Sequence, residues 1–126
     1  MSASILVSLV EAGDAAAVQA ELHSADDANQ CDSDGCPLLI LAVNHGWEDV
    51  TECLLANCAN PNIVCPVLKK TALAYACKDG NFNLILMLCD YGATVSEADV
   101  ELARQATVSD VREIVYYLEG HLEEEE

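Results

Sequence analysis

Apolar residues along this chain return at helical spacing in short runs, and each run is broken by a glycine or a small polar cluster. In "ALAYACKDG", Ala72 to Gly80, small and apolar side chains fill two turns before a Lys-Asp-Gly break. "NFNLILMLCDYG" follows and sets Leu84, Leu88 and Cys89 on one face of a second helix. "LLILAVNHG" and "WEDVTECLLANC" repeat the design, with Val50, Leu54 and Leu55 on the second face. "ILVSLVEAG" and "DAAAVQAELHSA" repeat it once more. Each copy predicts two short helices. The first stops at Gly13, Gly46 or Gly80, where a left-handed residue is cheap, and the second at Ala25, Cys58 or Gly92.

The copies are in register. A shift of 34 residues lays Leu73 on Leu39, Ala76 on Ala42, Gly80 on Gly46 and Leu88 on Leu54. A further 33 lays Gly46 on Gly13 and Leu55 on Leu22. A helix pair this short cannot bury its own apolar face, so successive pairs must stack. The predicted fold is all-α, a solenoid of helix-turn-helix pairs joined by short hairpin loops.

Period and pattern together resemble the ankyrin repeat family. The stretches that carry the likeness are "DSDGCPLLILAVNHGWEDVTECLLANCANPN", from Asp32, and "PVLKKTALAYACKDGNFNLILMLCDYGATVS", from Pro66. The chain departs from the family pattern at several positions. Pro37 stands where the family starts a helix with Thr, and Ile40 and Ala74 stand where it has a His that ties neighbouring loops together, which implies looser loops. Cys58 replaces a helix-ending Gly. "NIVCPVLKKT" is one residue longer than the period, so an irregular second hairpin is expected.

Residues 97–118 predict a degenerate last unit, with Ala98, Leu102 and Ala106 on one face. Its second helix would start at Thr107 or Ser109 and bury Val111, Ile114, Val115 and Leu118, leaving Asp110, Arg112 and Glu113 outside. The expected organisation is one domain, 1–118. It comprises an N-terminal cap (1–30), two repeats (31–63 and 64–96) and a C-terminal cap (97–118), with a solvated acidic tail at 119–126.

Charge narrows the partners. The 126 residues carry 22 acidic against 5 basic side chains, a formal net charge of −17, and residues 1–68 hold no Lys or Arg. Such a chain repels phosphate backbones, so no nucleic-acid partner is expected, and a basic protein partner is favoured. Neither a membrane span nor a secretory signal is read from the sequence. Seven cysteines, an odd number, point to a reducing compartment, cytoplasmic or nuclear, and to free thiols.

Chemical motifs do not assemble. Cys31 with Cys36, and Cys53 with Cys58, have spacings that fit zinc poorly, so no metal and no cofactor is expected. Cys31, Cys36 and Cys65 would be neighbours along the hairpin edge. "DSDG", Asp32 to Gly35, looks like the start of a calcium loop, but its twelfth position is Val43, so it reads as a hairpin turn. A nucleophile pair such as His45 with Cys36 lacks an orienting group and an oxyanion hole, so no enzyme is expected.

What remains is surface. The resemblance implies a concave docking face built from hairpin tips and inner-helix ends. In the first repeat that face takes in Ser33, Asp34, Cys36, Asn44, His45 and Trp47. In the next it takes in Val67, Leu68, Lys70, Tyr75, Lys78, Asp79 and Phe82. Trp47, Tyr75 and Phe82 are the aromatic anchor candidates, although Trp47 and Phe82 would equally well cover gaps between stacked helices. Lys69, Lys70 and Lys78 form a basic spot on an acidic molecule. The expected function is a monomeric protein-binding module. The alternatives are a thiol-based redox or metal sensor and an accessory domain of a larger protein.

Overall fold

The computed structural model describes residues 2–66 and 69–122. Among them are nine helices: α1 (Ser2–Ala12), α2 (Ala15–Glu21), α3 (Ala25–Ala28), α4 (Leu38–His45), α5 (Glu48–Ala56), α6 (Ala72–Asp79), α7 (Phe82–Asp90), α8 (Glu97–Arg104) and α9 (Val111–Gly120). They stack in two layers. The inner row runs α1, α4, α6, α8, each packed on the next, and α2, α5, α7 and α9 back them from outside. This is the all-α solenoid that the repeat pattern predicts.

Helix ends follow local chemistry. The inner helices α1, α4 and α6 stop where Gly13, Gly46 and Gly80 turn left-handed, at φ +75, +77 and +70. At the last two, the glycine N–H donates back to carbonyls of the final turn. Cys58 takes the glycine's role at φ +76 despite its Cβ, and Gly92 does so at φ +100. Asp14, Thr71, Asn81 and Ser96 cap their helices with side-chain oxygens, whereas Pro37 and Trp47 provide no such bond. Ser96 and Asp99 complete a capping box, which explains why the Asp99 carboxylate is buried without a cation.

Three expectations are corrected. Ala25 does not end the second helix; α2 stops at Glu21, and Ala25 opens the short helix α3. Ala98 is exposed, and the buried face of α8 is Val100 with Ala103, beside the capping-box Asp99. The chain also stays in the fold past residue 118, since α9 runs to Gly120 and Leu122 pairs with Val95 in an isolated bridge. Residues 123–126 of the acidic tail lie outside the described residues.

The repeats are tied by two asparagines rather than by the family's histidine. Asn29 donates to the Cys58 carbonyl and accepts from Asn60 N. One repeat later, Asn62 donates to the Gly92 carbonyl and accepts from Thr94 N. The positions that a His would occupy, Ile40 and Ala74, are buried. The longer second hairpin is visible in its closure: Cys31 pairs with Pro37, but Val64 with Thr71, and Lys69 is forced to φ +58. Among the described residues no helix is long and apolar enough to cross a membrane.

Candidate protein-binding face

The first hairpin is built by Asp32. Its Oδ1 accepts from the N–H of Asp34 and of Cys36, both at 2.9 Å, so a turn rather than a cation site consumes the carboxylate. That geometry leaves Ser33 and Asp34 exposed at the tip. Together with Val7, Ser8 and Glu11 of α1 and with Cys31, they line a cleft of about 620 Å³. The three α1 residues were not foreseen from sequence. A signal was present in the apolar run at the start of the chain, where Ile5 is 51% exposed.

Trp47 does not line this cleft but is tied to one residue that does, Glu11. Its Nε1–H donates to the Glu11 carbonyl at 3.3 Å, and its ring stacks on His45 with centroids 6.1 Å apart. The indole also lies over Gly13, where a Cβ would sit 2.8 Å from it. Trp47 is therefore first a brace between α1 and α4–α5, with 37% of its surface left open. Asn44 and His45 are exposed beside it, as are Lys78 and Asp79 at the equivalent end of α6.

The structure separates the remaining predicted residues. Tyr75 is 7% exposed and is not available to a partner, because α6 is packed by α4 and α8 on its flanks and by α7 behind. Phe82 is half-buried and meets Tyr117 of α9 edge-on at 5.8 Å, so it closes the gap to the last helix pair. Cys36 and Lys70 are half-buried. Val67 and Leu68 lie outside the described residues.

The hairpin thiols do meet. Cys36 is within hydrogen-bond reach of Cys65, and Cys31 is near enough to feel the charge of Cys65. Burial first, then the Cys65 contact and the charges of Cys65, Asp32 and Cys31, push the Cys36 thiol up to about 12. Burial, then Asp32 and Cys65, raise Cys31 as well. Tyr75 is raised by burial and by Cys65 and Cys36, which places its hydroxyl close to the same group. No cluster of three or more His, Cys, Asp or Glu able to hold a metal ion occurs among the described residues.

Stacked helix pairs, left-handed closing glycines and inter-repeat asparagines define an ankyrin-type solenoid. The chain belongs to the ankyrin repeat family: the family model for ankyrin repeats (3 copies) matches residues 6–99. Ankyrin repeats are in general protein–protein interaction modules, and the family is typically non-enzymatic. No curated protein matches the chain in sequence.

Proposed function

We propose that this chain is a monomeric binding module that docks a basic protein segment along the cleft between α1 and the first hairpin and along the helix ends beside it. The observation that carries the reading is the stacked pair of His45 and Trp47. It stands partly open to solvent and is joined through the Glu11 carbonyl to a cleft whose carboxylates include Asp34. An aromatic anchor beside negative charge suits a lysine- or arginine-rich strand, and a net charge of −17 speeds its approach. Ser33, Asp34, Cys36, Asn44, His45, Lys70, Lys78 and Asp79 are the contact set, with the open edge of Trp47. The units 1–30 and 97–122 act as caps. The working compartment is cytoplasmic or nuclear, with neither nucleic acid nor membrane as partner.

The test is affinity capture from cell extract at physiological salt, comparing the native chain with a triple variant, Asp34→Asn, His45→Ala and Lys78→Ala. All three positions are exposed, so circular dichroism should match the native chain. A protein held by the native chain, lost by the variant and released by raised salt supports the docking face. Identical capture by both chains, or none by either, removes it.

A further inference from the structure

We propose that Cys36 and Cys65 form a reversible disulfide between the first and second hairpins, made by exchange with a low-molecular-weight disulfide of the glutathione type. The two hairpins begin with the same backbone pairing, and one substitution stands out there. In the first, Asp32 N donates to the Cys36 carbonyl; in the second, Cys65 N donates to the Lys70 carbonyl, so Cys65 holds the place of Asp32. Asp32 turns its carboxylate back onto its own hairpin. A thiol is too weak an acceptor for that task. Cys65 is instead 2% exposed, within hydrogen-bond reach of the Cys36 thiol on the neighbouring turn. An adjoining pair, Gly35 before Cys36 and Pro66 after Cys65, places the turns side by side, since a Cβ on Gly35 would sit 3.2 Å from Cγ of Pro66. Beneath them the Tyr75 hydroxyl, buried, has no hydrogen-bond partner and stands ready as a donor near either sulfur.

The exchange balances in two displacements. Cys36, the more open thiol, gives up its proton and attacks one sulfur of the small disulfide; a small thiolate leaves and takes up a proton. Cys65 gives up its proton and attacks the Cys36 sulfur of the mixed disulfide, and the second small thiolate leaves and is protonated. Two protein thiols are oxidised and one small disulfide is reduced to two thiols. Burial keeps the attacking Cys36 thiol protonated near neutrality, so the rate is low at pH 7 and climbs roughly tenfold per pH unit as pH rises. The bond closes a loop of about 30 residues and adds a covalent clamp to two repeats already packed through α4 on α6 and α5 on α7. The proposal does not depend on the docking face.

The experiment uses the full chain, reduced, then exposed to glutathione disulfide at pH 8 and 9 and blocked with N-ethylmaleimide. Trypsin is useless here because residues 1–68 have no Lys or Arg, but a glutamate-specific protease cuts after Glu48 and Glu52, between the two cysteines. The expected main product is a chain two hydrogens lighter, with Cys36 linked to Cys65, reversed by dithiothreitol and melting about 5–10 °C higher. Cys31→Ser keeps the product, whereas Cys65→Ser stops at a glutathione adduct on Cys36. Maleimide on both Cys36 and Cys65, with adducts on Cys31 and Cys58 or links between chains, overturns the proposal. If Cys65→Ser loses its fold, the native product map alone decides.

Discussion

Gly13 and Gly46 end successive inner helices with nearly the same backbone, φ +75 and +77, yet one is roofed and the other is open. The Trp47 indole lies on Gly13, while no atom comes within 4 Å of a Cβ at Gly46. One repeat on, the position of Trp47 is held by Asn81, which caps α7 instead of reaching back. Gly80 is roofed again, by Val108 at 2.7 Å. The backbone repeats faithfully, but the packing between repeats does not. The first joint is closed by Trp47, which follows Gly46, and the last by Val108 from the loop after α8, while the middle joint is left as a notch.

The largest test of that contrast is a matched pair of substitutions. Gly13→Ala meets two penalties: a left-handed alanine, about 1–2 kcal/mol, and collision with the indole, about 1–3 kcal/mol more. Gly46→Ala meets only the first. Urea denaturation should therefore show a loss of about 3 kcal/mol for Gly13→Ala against about 1 for Gly46→Ala. Equal losses would mean that Trp47 moves aside freely and braces nothing.

The next comparison removes the roof instead. Trp47→Ala takes away a partly buried ring and its bond to the Glu11 carbonyl, for an expected loss of about 2 kcal/mol. Asn81→Ala removes only an N-cap, about 1 kcal/mol. The two variants should also differ in kind. Hydrogen exchange in α1 should quicken for Trp47→Ala and stay unchanged for Asn81→Ala, because only the indole reaches across a joint.

A smaller change in stability carries a larger message. Asn81→Trp should roof Gly46 as Trp47 roofs Gly13, so the ring gained and the cap lost nearly cancel, leaving a shift within about 1 kcal/mol. The filled notch lies next to the exposed His45 and Lys78. Capture of a basic partner should fall sharply in this variant although its melting temperature barely moves. Unchanged capture would show that docking stops short of the second joint.

The contrast also shows what could be read in advance. Apolar spacing and glycine position were enough for the inner helices, because helix length and a left-handed stop are decided locally. Cys58 in the glycine's place was readable for the same reason. Tyr75 was misplaced: a tyrosine at an inner-helix position can point out to the groove or in beneath the hairpins, and only the packing of α4, α7 and α8 decides. Phe82 and Trp47 admitted either role until their neighbours, Tyr117 and Gly13, were known. The short helix α3 and the face of α8 depended on caps, Ser24 to Asp27 and Ser96 to Asp99, that override apolar spacing. The meeting of Cys36 with Cys65 follows from two hairpins lying side by side, a relation that spacing alone only suggests.

The weakest expected effect lies at the C-terminal joint, which has both an apolar roof and an ion pair. Arg104 reaches Glu119 at 2.7 Å and Glu101 at 3.5 Å, but the side chains are about half exposed, so water screens them. Val108 over Gly80, the edge-on contact of Phe82 with Tyr117, and the buried Ile114 and Leu118 already hold α9 in place. Arg104→Ala should therefore cost no more than about 0.5 kcal/mol, and that loss should vanish in 1 M salt, where screening acts over roughly 3 Å. A cost above about 1.5 kcal/mol that persists in salt would mean that the ion pair, not the roof, closes this joint. In that case the rule drawn from Gly13 and Gly46 would stop at the third repeat.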